Sequence, residues 1–165
     1  MISTRFYALP LLLSFALDAT ALAVDPAREA QVRERGVEVM PFALASTEHQ
    51  FQKTESGGLQ RVVARAAEPQ QIAMIRQHLQ QIADSFARRD FSAPAQIHGD
   101  TMPGLAELKA AGRDELAVDY RDVTGGAEIE YRGSTPTIRD AIHRWFDAQL
   151  SDHGHDAVNH THHGS

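Results

Sequence analysis

The sequence predicts an α+β fold: two ββα units form one antiparallel sheet with two long helices on one face, a two-layer sandwich. Two stretches of alternating apolar residues are each interrupted by a glycine pair, Gly57-Gly58 and Gly125-Gly126, the mark of a hairpin. Each hairpin leads to a proline, Pro69 or Pro136, that opens an amphipathic helix. The two helices match at a constant spacing of 67 residues, with Met74 to Leu79 standing against Ala141 to Phe146. Duplication of one unit and chance similarity of two ββα units both predict this architecture.

The chain opens with Arg5 and a mostly apolar run from Phe6 to Leu17, meets Asp18, and closes on Ala21-Leu22-Ala23. That order of charge, apolar stretch and small-x-small site is an export signal over residues 1–23, expected to be cleaved after Ala23 and to deliver the protein to the periplasm. The run is shorter than the ~20 residues a bilayer-crossing helix needs, so no stable membrane anchor is expected after cleavage. Loss of residues 1–23 removes one arginine and one aspartate, and the net charge stays at −6. An acidic chain is a poor partner for nucleic acid. Cysteine is absent, which excludes disulfides, thiolate metal sites and thiol catalysis.

The remaining chain reads as a single α+β domain over residues 24–151 and a His-rich flexible tail over 152–165. Asp25 and Pro26 predict the cap and first residue of a short helix that carries Ala27 to about Arg35 and stops at Gly36. Val37-Glu38-Val39 and Phe42-Ala43-Leu44 alternate like a strand, and Pro41 assigns it to an edge or a bulge. Residues 48–53 and 59–65 form the first hairpin around Glu55 to Gly58. The helix from Pro69 to about Arg88 carries Ile72, Ile75, Leu79, Ile82, Ala83 and Phe86 on one face. A polar passage through Asp90, Pro94, His98 and Pro103 reads as a loop, followed by a short helix from Leu105 to Ala111. Leu116 to Tyr120 and Ala127 to Tyr131 make the second hairpin. Thr135 then caps a helix whose inner face is Ile138, Ala141, Ile142, Trp145 and Gln149.

Candidate chemistry lies in the nine histidines. His153, His155, His160, His162 and His163 fall within a dozen residues together with Asp152 and Asp156. Imidazole is neutral above a pKa of ~6.5 and is a good donor to copper, zinc and nickel, and the His-x-His spacings let neighbouring rings reach one divalent transition metal ion. His98 and Met102 are the candidate second site, since imidazole with thioether suits copper better than zinc. His49, His78 and His143 read as surface or core-edge residues, because nothing near them in sequence completes a site. No Gly-x-Ser-x-Gly elbow, His-Glu-x-x-His helix or phosphate-binding glycine loop is present, so no catalytic residue is assigned and the reading leans away from an enzyme.

The segments Arg61 to Arg65, Ile75 to Leu79, Ile97-His98-Gly99, Met102 to Leu105 and His143 to Asp156 resemble a family of small exported proteobacterial proteins, across nearly all of the chain after residue 23. Members of that family often bear the label aspartate carbamoyltransferase. The resemblance implies an exported protein, and it carries no catalytic residue across. Ser134-Thr135-Pro136-Thr137 is similar to the Ser-Thr-Arg-Thr phosphate loop of carbamoyltransferases, with proline where an arginine would grip the phosphate. Three functions are therefore expected in descending order. The first is a periplasmic protein that binds or buffers a transition metal, copper foremost, through its C-terminal histidines. The second is a periplasmic protein-binding or inhibitor module, and the third is the carbamoyltransferase activity that the family label names.

Overall fold

Period-two burial is clearest along the strand Thr47–Thr54, where Thr47, His49 and Phe51 face the covered side of the sheet. The computed structural model describes residues 25–154 and 157–159. The expected signal segment and His155, His160, His162 and His163 lie outside the described residues. In chain order the elements are α1 (Pro26–Val39), a 3-10 turn at Leu44–Ser46, β1 (Thr47–Thr54), β2 (Gly57–Ala64), α2 (Pro69–Ala87), α3 (Ser92–His98), α4 (Leu105–Ala110), β3 (Leu116–Val123), β4 (Gly126–Gly133), α5 (Pro136–His153) and β5 (Ala157–Asn159). The fold is α+β, with α2 and α5 packed on one face of a five-stranded sheet of order β3-β4-β2-β1-β5.

The two ββα units meet along β2 and β4, which pair antiparallel from Gly57 opposite Arg132 to Val63 opposite Gly126. The glycine pairs serve this junction more than the turns. The tight turns are made at residues 55–56 and 124–125, and the second glycine of one pair and the first of the other open a strand. A Cβ on Gly57 would come within 2.2 Å of the Tyr131 carbonyl oxygen, and one on Gly126 within 2.0 Å of the Val62 carbonyl oxygen. Both units thus use glycine where the neighbouring unit's backbone approaches too closely for any side chain.

The helices begin as expected. Asp25 accepts hydrogen bonds from the Ala27 and Arg28 amides, Thr135 accepts one from Ile138, and proline stands in the first turn of α1, α2 and α5. The buried face of α2 is Gln71, Ile75, Leu79, Ala83 and Phe86. On α5 the stripe of Ile138, Ala141, Ile142, Trp145 and Gln149 continues to Asp152 and His153. Trp145 packs edge-on against Phe86, Phe91 and Tyr131 at centroid distances of 5.7, 6.2 and 5.4 Å. The opposite face of the sheet is polar. Its centre is Glu128, only 1% exposed because Arg61 and Arg121 each lie over one of its carboxylate oxygens.

Three expectations are corrected. Residues 37–39 continue α1 through Gly36 instead of starting a strand, and the Met40 amide still donates to the Gly36 carbonyl. Pro41 lacks an amide donor, and the chain bends there before β1. The fifth strand comes from Ala157–Asn159 and pairs with β1 in parallel, so the sheet is mixed and not wholly antiparallel. The passage after α2 contains a helix, α3, where a loop is expected. Its approach is fixed by Arg89, whose left-handed backbone (φ 66°) lets its guanidinium donate to the carbonyls of Ala111, Gly112 and Leu116.

Gly126→Ala is expected to destabilise the protein by about 2–3 kcal/mol through backbone overlap between the two units. Gly112→Ala, whose new methyl would meet only the movable Glu115 carboxylate, should stay within about 0.5 kcal/mol of the parent. Urea unfolding of the two variants checks this, and equal midpoints would remove the β2/β4 junction as the reason for glycine.

Candidate functional site

Four of the histidines converge at one end of the core, brought there by four different elements. On β1 the buried positions are Thr47, His49 and Phe51, so alternation turns the His49 ring toward the helices. It lies opposite Val62 on β2 and beside Ala157 on β5. His98 is the last residue of α3, and His153 the last of α5. His49, His98 and His153 are 3%, 4% and 7% exposed. His78, on the flank of α2, reaches the same region edge-on to Phe42 at 5.5 Å.

His153 is the centre of the group. Its ring lies nearly parallel to that of His49 at a centroid distance of 5.2 Å and is edge-on to that of His98 at 5.1 Å. Burial pushes the His153 pKa well below its usual value, and nearby His49 and His98 add to the effect. Burial likewise pulls His49 down to about 4, helped by His78, His98 and Arg65. The His78 pKa is lowered by burial too. His49 and His153 are accordingly neutral donors at physiological pH.

His98 is oriented from behind. Its Nδ1 lies 2.8 Å from Asp152 Oδ2, and Arg28 on α1 grips the same carboxylate, with Nε 3.1 Å from Oδ1 and Nη2 2.8 Å from Oδ2. Burial alone would raise the Asp152 pKa, but the hydrogen bonds from His98 and Arg28 outweigh it and hold the carboxyl at about 2. Asp152 in turn raises the Arg28 pKa. When the His98 ring donates its Nδ1 proton to Asp152, Nε2 is left with a free lone pair, the arrangement by which a carboxylate prepares a histidine to hold a metal or accept a proton.

The rings border a cavity of about 50 Å³ whose other walls include Phe42, Val62, Ile82, Pro94, Ile97 and Trp145. Among the described residues, two buried polar atoms of its lining have no hydrogen-bond partner, His49 Nε2 and Trp145 Nε1. An apolar hollow with a few polar groups and shifted titrating side chains is the usual form of a ligand site.

Of the residues singled out from sequence, His98 and His153 are brought together. Met102 is not part of this group: it is buried in the hydrophobic core and does not line the cavity. His143 binds the Thr54 carbonyl through Nε2 at 2.9 Å. Sequence reasoning missed His49. It also missed Asp152 as the group that orients His98. As the rings stand, no three His, Asp or Glu side chains among the described residues are placed to hold one metal ion. The centroid separations of 5.1 and 5.2 Å nevertheless match those of two imidazoles on one tetrahedral ion, about 5 Å for metal–nitrogen bonds of ~2.0–2.1 Å. They are those of two of the three ring pairs that a single ion held by all three imidazoles would need.

The sign of the pH dependence follows from the lowered values. Unfolded histidine takes up its proton near pH ~6.5, whereas folded His49 waits until about 4. The unfolded state therefore binds more protons below pH ~6.5, and stability falls from there to about pH 4, by on the order of 3 kcal/mol from His49 alone. Asp152 titrates near 2, below this window. Urea midpoints of metal-free protein from pH 7.5 to 4.5 should fall steadily, and His49→Phe should flatten the slope by about one proton. A flat wild-type profile would contradict the burial of neutral rings.

No family model, no curated protein and no solved structure matches this chain, and among the described residues no helix is long and apolar enough to cross a membrane.

Proposed function

We propose that this is an exported protein that binds or buffers a transition metal ion, copper foremost, with its histidines in two sets. The first set is His49, His98 and His153 in the core. The second is His155, His160, His162 and His163 in the C-terminal run. The observation that carries the reading is the meeting of three buried imidazoles around His153, one of them backed by Asp152. Burial favours the neutral rings that a metal requires. Copper leads because imidazole sites follow the Irving–Williams order, in which Cu(II) stands highest. The periplasm is supported by the opening charge, apolar run and Ala21-Leu22-Ala23 site, with cleavage after Ala23.

Trp145 is the only tryptophan and lines the cavity, so it reports on the core set. Titration with Cu(II) is expected to quench its fluorescence to a plateau near one equivalent. Replacing His155, His160, His162 and His163 by asparagine should lower the total copper bound but keep that quenching. His49→Phe together with His153→Phe should abolish the quenching and leave the C-terminal binding. Zn(II) should compete for the same equivalent, more weakly. Copper uptake unchanged in both variants would overturn the assignment. N-terminal sequencing of protein from a periplasmic extract should begin at Val24, and an N-terminus at Met1 would remove export from the reading.

A further inference from the structure

Three rings that are each less than 8% exposed offer an ion little direct access from solvent, so the walls that cover them matter. The walls differ in how they are held. The strands, α2 and α5 carry the large apolar core, with Trp145, Phe146, Ile75, Leu79 and Phe51 among its most buried members. Helix α1 is anchored differently. Among its described side chains Val32 is the one buried hydrophobic residue, and most of the others face solvent.

Besides Val32 and the cap residue Met40, the described contacts that tie α1 to the body include polar ones at the cluster itself. Arg28 donates to both oxygens of Asp152 and also to the His98 carbonyl, and Arg35 donates to the Ile97 carbonyl at 3.4 Å. These polar contacts of α1 reach the last turn of α3 and the last turn of α5, the two turns that carry His98 and His153. Its C-terminal cap residue, Met40, is part of the cavity lining. A movement of α1 away from α3 and α5 would free the carboxylate behind His98 and withdraw one side of the cavity in the same step.

Resting on the metal reading above, we propose that α1 is the gate of the imidazole cluster and that Arg28, bound to Asp152 and the His98 carbonyl, is its latch. The latch sets how fast an ion enters and leaves, and the rings set how tightly it is held. An element with few described buried apolar side chains and partly exposed polar contacts opens locally at low cost, which places such a gate at the low-stability end of the structure. Arg28 itself is 31% exposed, so water is at hand to replace its bonds when the helix lifts.

Stopped-flow quenching of Trp145 by Cu(II) tests this, in the full chain bearing asparagine at positions 155, 160, 162 and 163 so that only the core is read. Arg28→Met keeps the aliphatic stem and removes the latch. Entry and release rates are both expected to rise by roughly tenfold, while the equilibrium constant moves by less than about threefold. Arg33→Met, which removes a partner of Glu29 within α1 and leaves the latch intact, should match the parent. Amide hydrogen exchange across Pro26–Val39 should accelerate in Arg28→Met and not in β2 or β4, a readout that needs no copper. Unchanged rates and unchanged exchange in Arg28→Met, with quenching intact, overturn the gate and leave the metal reading standing. Faster release with unchanged entry and weaker binding also overturns it, since Arg28 would then only position His98. Absence of quenching in every form overturns the metal site, and the gate with it.

Discussion

The carboxylate of Asp152 joins three helices. It sits in the last turn of α5, holds α3 through the His98 ring and holds α1 through the Arg28 guanidinium. The seven-residue α3 is too short to be stable as an isolated helix, and its position must come from tertiary contacts. Both carboxylate oxygens are engaged, so the negative charge is matched by the Arg28 charge beside it. That match is what allows neutral rings to be stacked against the pair without leaving a bare ion in the core. Loss of Asp152 would leave Arg28 without its ion-pair partner and His98 without its orienting acceptor.

Most of the fold was legible because its periodicities are long and its stops are sharp. Both hairpins, both long helices and their proline starts follow from spacing alone, and the pairing of β2 with β4 gives the repeated units a shared edge. Where the reading failed, the signal was local and the deciding force was not. Val37-Glu38-Val39 alternates, yet three residues of alternation weigh less than helical hydrogen bonds already propagating through Gly36. The passage from Asp90 to Gly104 reads as a loop because its prolines and glycines are frequent, and only the packing of Pro94 and Ile97 against the core makes α3 worth forming. Parallel pairing of β5 with β1 depends on where α5 ends, and no residue in β5 specifies it.

The site was half legible. His98 and His153 were marked for different reasons, one for its loop and the other for its tail, and 54 residues separate His98 from its partner Asp152. The helical stripe of α5 could have joined them: after Trp145 and Gln149 the same face recurs at Asp152 and His153, three and four residues on. Extending that stripe takes His153 out of the tail and into the core. His49 was available by the same logic. It occupies an inward position between Thr47 and Phe51, and a titratable ring where the pattern demands an apolar one is itself a signal. Met102 shows the opposite error, since spacing paired it with His98 while Pro103 and Gly104 turn the chain so that Leu105 and Met102 enter the hydrophobic core.

Packing alone is a poor reason for three imidazoles at this place. A phenyl ring fills nearly the same volume and carries no polar atom to desolvate, whereas a buried nitrogen without a partner costs ~1–3 kcal/mol. His49 Nε2 is such an atom, and it lies beside a hollow large enough to hold something. Histidines that are close in sequence can meet one ion without any fold, so the C-terminal run needs no preorganisation and gains little selectivity. The core set is the converse: its rings come from β1, α3 and α5, and the protein bears the cost of keeping them buried, a cost that a ligand on His49 Nε2 would offset. On the proposed reading, the C-terminal histidines would capture metal and the core histidines would hold it, with the step between them set by how often the wall beside His98 opens.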